Sequence, residues 1–220
     1  MNEKREVVLP GDFLTEKAGR KVGFGAYFEG EKVFAKVLGL PRIGENEISV
    51  IPLAGVYIPR IGDKVIGTIS SVEVSGWMVD INSPYVAFLP LAEGVREFVD
   101  TSRTDISTFF NAGDIIFCTI SKVTRNKTIQ VSMQDIGNRK LYGGMVIKVS
   151  PNKIPRIIGK EGSMINIIKQ KTGSEIYTGR NGIVWVRGEN SAKAIEAVLM
   201  VEKESHTVGL TEKIEKLLSE

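Results

Sequence analysis

The chain has 220 residues, 42% of them hydrophobic and 25% charged, with 23 glycines and a formal net charge of +3. That composition is ordinary for a globular protein with real apolar cores, and the length leaves room for two or three small domains. No run approaches the roughly 18 apolar residues that span a bilayer. The first six residues lack the apolar stretch of a secretory signal. The single cysteine, Cys118, cannot form an internal disulfide, so the chain reads as soluble and cytoplasmic, with no membrane partner. Cys118 sits in an apolar run and reads as a small buried hydrophobe.

Charge is unevenly spread. Residues 143–190 carry eight Lys and Arg against three Glu, residues 1–142 balance seventeen against seventeen, and residues 191–220 are net −2. A cationic segment of this kind meets an anionic polymer or is a solvated basic face; charge alone leaves both open.

In chain order, residues 1–56 read as a small all-β module. A strand at 7–9 ends at the turn signal of Pro10 and Gly11, while Gly23, Gly25 and Gly30 bracket Ala26, Tyr27 and Phe28. Extended runs follow at 32–38 and 47–53. The glycines around Phe24 lack the strand–loop–helix context and the Lys-Ser or Lys-Thr ending of a phosphate loop, so they are turn residues.

Residues 57–140 contain an internal echo: 62–72 (GDKVIGTISSV) matches 113–123 (GDIIFCTISKV) at six of eleven positions. Each copy is a Gly-Asp turn feeding a β-branched strand. Further strands are predicted at 76–81, 86–90 and 128–133, with a short helix at 105–110. Five strands with one interrupting helix make a closed OB barrel.

Residues 141–220 read β-α-α-β-β-α. Strands are predicted at 144–149, 175–178 and 183–187, the last two joined by a hairpin turn at Asn181 and Gly182. Helices are predicted at 153–158, from a capping Ser163 to Lys171, and from Ser191 onward with Ile195, Val198 and Leu199 on the core face. The first two helices are joined by Gly159, Lys160, Glu161 and Gly162.

These motifs carry resemblances. The Gly-Asp start, the GWMVDI strand and the IQVSM end resemble the RNA-binding barrel first named in the large ribosomal protein S-one. That resemblance implies Phe88 as a base-stacking residue, Trp77 beside it as either a stacking or a core aromatic, and Arg125 and Lys127 as phosphate partners. Pro90 stands where that family often has a histidine, so one usual contact is missing. The Gly-x-x-Gly loop between two helices, within β-α-α-β-β-α, resembles a KH domain. There, two glycines let the backbone approach a sugar-phosphate chain and the next helix aims its N-terminal amides at phosphate. Lys160 adds charge, Glu161 weakens the field, and Arg156 and Lys153 flank the groove. A KH groove clamps about four nucleotides of single strand.

The order of modules narrows the choice. Polynucleotide phosphorylase has KH before the barrel, and NusA has two KH domains after it. A small β module, then the barrel, then one KH domain resembles the RNA-binding cap subunits of the RNA exosome, of the Rrp-four type and archaeal in its compact length. The resemblance implies single-stranded RNA as ligand and three copies seated on a ring of phosphorolytic, RNase PH-like subunits. A stand-alone RNA chaperone, or a translation or transcription factor, uses the same modules and stays open. No His, Cys or carboxylate cluster at ligand spacing and no nucleophile–base pair stands out, so no catalytic residue, metal or cofactor is expected. The lone histidine, His206, reads as an exposed helix end.

Overall fold

The computed structural model describes residues 7–97, 105–205 and 209–219, so the position of His206 lies outside the described residues. The chain forms two compact units, divided after Gly55.

The first unit holds six short strands: β1 (Phe13–Glu16), β2 (Lys21–Val22), β3 (Ala26–Glu29), β4 (Lys32–Ala35), β5 (Gly39–Ile43) and β6 (Glu47–Pro52). They form two three-stranded sheets, ordered β1-β4-β3 and β2-β6-β5. The period-2 pattern of β4 and β6 buries Val33, Ala35, Ile48 and Val50. Gly25 is required where it stands: its φ is +76°, and a Cβ there would lie 2.6 Å from the Val50 carbonyl oxygen. The strand expected at 7–9 is only an isolated bridge between Val8 and Gly39. Pro10 has no N–H to continue a ladder, and Gly11 at φ +94° turns the chain away at once.

The second unit begins with β7 (Lys64–Glu73), β8 (Gly76–Asp80) and β9 (Ala87–Pro90), followed by the short helix α1 (Leu91–Gly94). After β10 (Ile115–Val123) and β11 (Ile129–Ser132), β12 (Arg139–Leu141) adds to the outer edge of β10. Strands β11, β9, β8, β7 and β10 are neighbours in that order, and β10 pairs with β11, which closes a five-stranded barrel. Trp77, Val79, Leu89, Ile116, Ile120 and Val131 fill its interior. The helix expected at 105–110 contracts to one 3-10 turn, Ile106–Thr108, in which Asp105 accepts a hydrogen bond from the Ser107 amide at 2.9 Å.

The sequence echo has a structural cause. β7 and β10 pair antiparallel with Ile66 opposite Phe117, residues at equivalent positions of the two copies. The copies are therefore related by a local twofold through that pair. Gly62 N–H donates to the Ile120 carbonyl at 2.9 Å, and Gly113 N–H donates to the Ile69 carbonyl at 2.8 Å, each the counterpart of the other. Two similar segments satisfy each other's backbone groups, which explains why the same turn-and-strand phrase serves twice.

The chain then enters β13 (Met145–Lys148), α2 (Ile154–Ile158), α3 (Ser163–Thr172), β14 (Glu175–Thr178), β15 (Ile183–Arg187), α4 (Ser191–Lys203) and α5 (Leu210–Ser219). The antiparallel sheet has the order β13-β15-β14. One face of β15, Val184 and Val186, meets the helices, while Ile183 and Trp185 on the other face meet Ile66, Phe117 and Leu141 of the barrel. Three details differ from expectation. Ser163 is the first helical residue rather than the cap, because Gly162 occupies the cap position at φ 82°. The core stripe of α4 is Ala194, Ala197, Val198 and Val201, an i, i+3, i+4, i+7 pattern that puts Leu199 off the core face and leaves it exposed. A further helix, α5, packs Leu210, Ile214 and Leu218 into the same core.

Barrel and KH sheet are latched by the turn between β14 and β15. Asn181 is fully buried, and its side-chain amide donates to the carbonyls of Ile66 (2.7 Å) and Ile81 (2.8 Å), while its oxygen accepts from the Ile66 amide at 3.3 Å. Every polar atom of that side chain is thus used across the seam, as burial of an amide requires.

Candidate nucleic-acid interface

The loop between α2 and α3 is built by backbone conformation. Gly159 (φ 78°, ψ 175°), Glu161 (φ 54°) and Gly162 (φ 82°) place three of four residues at positive φ. At Gly159 a Cβ would lie 2.6 Å from the Met164 amide nitrogen, so glycine is needed for space as well as for torsion. At Gly162 only the Asn166 side chain approaches, at 3.4 Å, so torsion alone requires it. The result is a tight, exposed bend with Lys160 and Glu161 outward. No side chain caps the start of α3. The Ser163 amide is taken by the Lys160 carbonyl within the loop, so what the start of α3 offers an anion is its positive dipole end, which no side chain neutralises.

The flanking cations separate in character. Arg156 is exposed on α2, beside the loop. Lys153 is half-buried, and its Nζ donates to Ser205 Oγ at 2.7 Å, which ties it to the end of α4.

On the barrel, Met78, Phe88 and Gln130 stand in one row across β8, β9 and β11, because Phe88 is opposite both of the others in register. Alternation sends their neighbours Trp77, Val79, Ala87, Leu89, Ile129 and Val131 inward. Gly76 makes room for the row: a Cβ there would lie 2.9 Å from the Phe88 ring. Arg125 and Lys127 are exposed in the turn between β10 and β11, and Lys127 Nζ lies 5.8 Å from the centre of the Tyr85 ring. Tyr85 escaped the sequence reading, although it ends the segment VDINSPY, which begins within β8 and runs out of its end.

Trp77 is corrected. Its indole is completely buried, its Nε1 donates to the Phe110 carbonyl at 2.9 Å, and its ring meets Phe110 edge-to-face. A side chain with no exposed face cannot stack on a base; Trp77 is core.

Among the described residues, the largest upward shifts of titratable groups belong to buried side chains. Burial pushes the Cys118 thiol up to about 12, which leaves it protonated and inert. Burial, followed by the Asp63 carboxylate that accepts its hydrogen bond at 2.8 Å, pushes the Tyr57 hydroxyl far above its usual range. Among the described residues no three His, Cys, Asp or Glu side chains gather as metal ligands, and no helix is long and apolar enough to cross a membrane.

Comparison with known proteins follows the same three-part order. Residues 5–54 match the family described as exosome RNA binding protein RRP4 N-terminal domain, residues 56–122 the RRP4 S1 domain, and residues 144–192 a KH domain. The exosome complex component Rrp4 of Pyrococcus horikoshii is 43% identical over 98% of this chain and 83% of its own length. That of Methanothermus fervidus is 38% identical over 98% of this chain and 96% of its own. A crystal structure described as that of an exosome complex RNA-binding protein superposes with a TM-score of 0.69 at 32% identity, covering 75% of this chain and 96% of the other. A closed S1 barrel latched to a single KH domain behind a small β module, at this identity over the full span, places the chain in the Rrp4 family of exosome components.

Proposed function

We propose that this chain is a non-catalytic RNA-binding subunit of an exosome cap. It recruits single-stranded RNA and feeds 3′ ends to a phosphorolytic, RNase PH-like ring, for 3′-to-5′ processing and degradation in the cytoplasm. The observation that carries this reading is the loop Gly159–Lys160–Glu161–Gly162, an exposed bend whose glycines admit close backbone approach in front of the positive dipole end of α3. Arg156 and Lys160 supply charge there, and the row of Met78, Phe88 and Gln130 with Arg125 and Lys127 supplies a second contact face. Lys153, held by Ser205, contributes positive field from the groove wall rather than a direct phosphate contact.

The three segments divide the work: residues 141–220 grip RNA, residues 57–140 line its path, and residues 1–56 dock on the ring, three copies to a complex. Exposed Phe13, Phe24, Phe28 and Ile51 give the first unit an apolar surface for that docking. The test is size-exclusion chromatography with the ring. Removal of residues 1–56 abolishes co-elution and leaves most RNA binding; intact co-elution moves docking to the other domains. Alone, with phosphate and magnesium, the chain leaves RNA uncut, and turnover that copurifies with it free of ring subunits contradicts the reading.

A further inference from the structure

The seam between barrel and KH sheet carries a second feature that the loop at Gly159 does not use. Tyr177, half-buried on β14, turns toward the barrel and meets Phe117 of β10 at 5.0 Å between ring centres. Three cations from three elements converge on this aromatic pair. The Arg139 guanidinium of β12 lies 5.6 Å from the Tyr177 ring centre, Lys169 Nζ of α3 lies 6.0 Å from it, and Lys64 Nζ of β7 lies 5.9 Å from that of Phe117. None of the three makes an ion pair among the described residues, and Lys64 Nζ donates instead to the Ile136 carbonyl at 3.0 Å. Other cations near the seam do: Lys140 is bridged to Asp114 and Arg187 to Glu175.

Unpaired like charges gathered around aromatic rings repel one another, and weak cation–π attraction offsets that only in part. A polyanion that brings both phosphates and bases removes the repulsion and uses the rings, the combination found in single-strand binding surfaces. Lys169 belongs to the helix that starts at the Gly159 loop, whereas Lys64 and Arg139 belong to the barrel. The cluster therefore draws on both domains that carry the contact faces described above. We infer that the barrel–KH seam is a third single-stranded RNA site, in which Lys64, Arg139 and Lys169 hold phosphates and Tyr177 stacks on a base. It rests on the RNA-binding reading above and extends it, carrying the strand from the KH groove onto the barrel.

Fluorescence anisotropy of the full chain with oligouridylates of 4 and 12 nucleotides tests this. The variant K64Q/R139Q/K169Q keeps its melting temperature, binds the 4-mer as the parent does, and binds the 12-mer about tenfold more weakly, with a log–log salt slope shallower by about 2, near 0.7 for each lost phosphate. A 12-mer carrying 5-bromouracil, irradiated on the parent, crosslinks to Tyr177. Equal 12-mer affinity and salt slope for parent and variant, or crosslinks that avoid the seam, overturn the site while RNA binding at the Gly159 loop stands. A parent that binds neither oligonucleotide overturns both.

Discussion

The N-terminal module (residues 1–56) and the KH domain (residues 141–220) hold themselves together differently. In the module the buried apolar side chains are Val33, Ala35, Ile48 and Val50, while Phe13 and Phe28 are each 54% exposed. In the KH domain four helices close over one face of a sheet, and residues from Ile154 to Leu218 join a single core. Small units bury proportionally little surface. The contrast teaches that apolar content is not the same as core: the module leaves several large side chains on its surface, which suits the docking role proposed for it, and the KH domain packs most of its own inside.

Substitutions sharpen that contrast. Ile168→Ala empties a fully buried KH position and should cost roughly 2–5 kcal/mol in denaturant unfolding. Asn181→Ala leaves the Ile66 and Ile81 carbonyls unpaired beneath the seam and should cost about 1–3 kcal/mol. Phe28→Ser, on the exposed face of the module, should change stability by under about 0.5 kcal/mol yet weaken co-elution with the ring. Should it unfold the module, that face is core and the contrast fails.

A pH-dependent effect is at the barrel edge. Burial raises the Asp114 carboxyl, but hydrogen bonds from Lys140 and the Asn111 amide outweigh it and hold the group below its usual value. Because the folded value is depressed, the stabilisation is present above the unfolded value of about 3.9 and is lost as pH falls through the folded one. Lys140→Met should therefore cost under about 1 kcal/mol near neutral pH and flatten the acid limb of the stability curve below about pH 4. An acid limb identical to the parent's would remove Asp114 from the account.

Much of this architecture is legible in the residues, and the exceptions have physical reasons. β14 and β15 begin and end where alternation and the Asn-Gly turn put them, because a two-stranded hairpin is a local decision. The closed barrel is legible from its five strands, whereas the role of Trp77 depends on a contact distant in sequence. Its indole N–H finds the Phe110 carbonyl, 33 residues away, which no local pattern states. β12, three residues long with Arg139 and Lys140 in it, has no apolar alternation to announce it. α5 does have a signal, Leu210, Ile214, Leu217 and Leu218 at helical spacing. Of the site, the Gly159 loop is a contiguous motif and so could be read, whereas the Tyr177 cluster draws on β7, β10, β12, α3 and β14 and exists only after folding.

The central claim is that the Gly159 loop holds RNA through phosphate, and replacing both outward residues tests it most directly. Lys160→Asp with Glu161→Asp changes two exposed side chains, and aspartate tolerates the positive φ at position 161. Anisotropy with a single-stranded 12-mer across a salt series should show affinity reduced by about tenfold or more and a shallower salt slope, with the melting temperature unchanged. Equal affinity and equal slope for variant and parent would contradict the account and place RNA elsewhere on the chain.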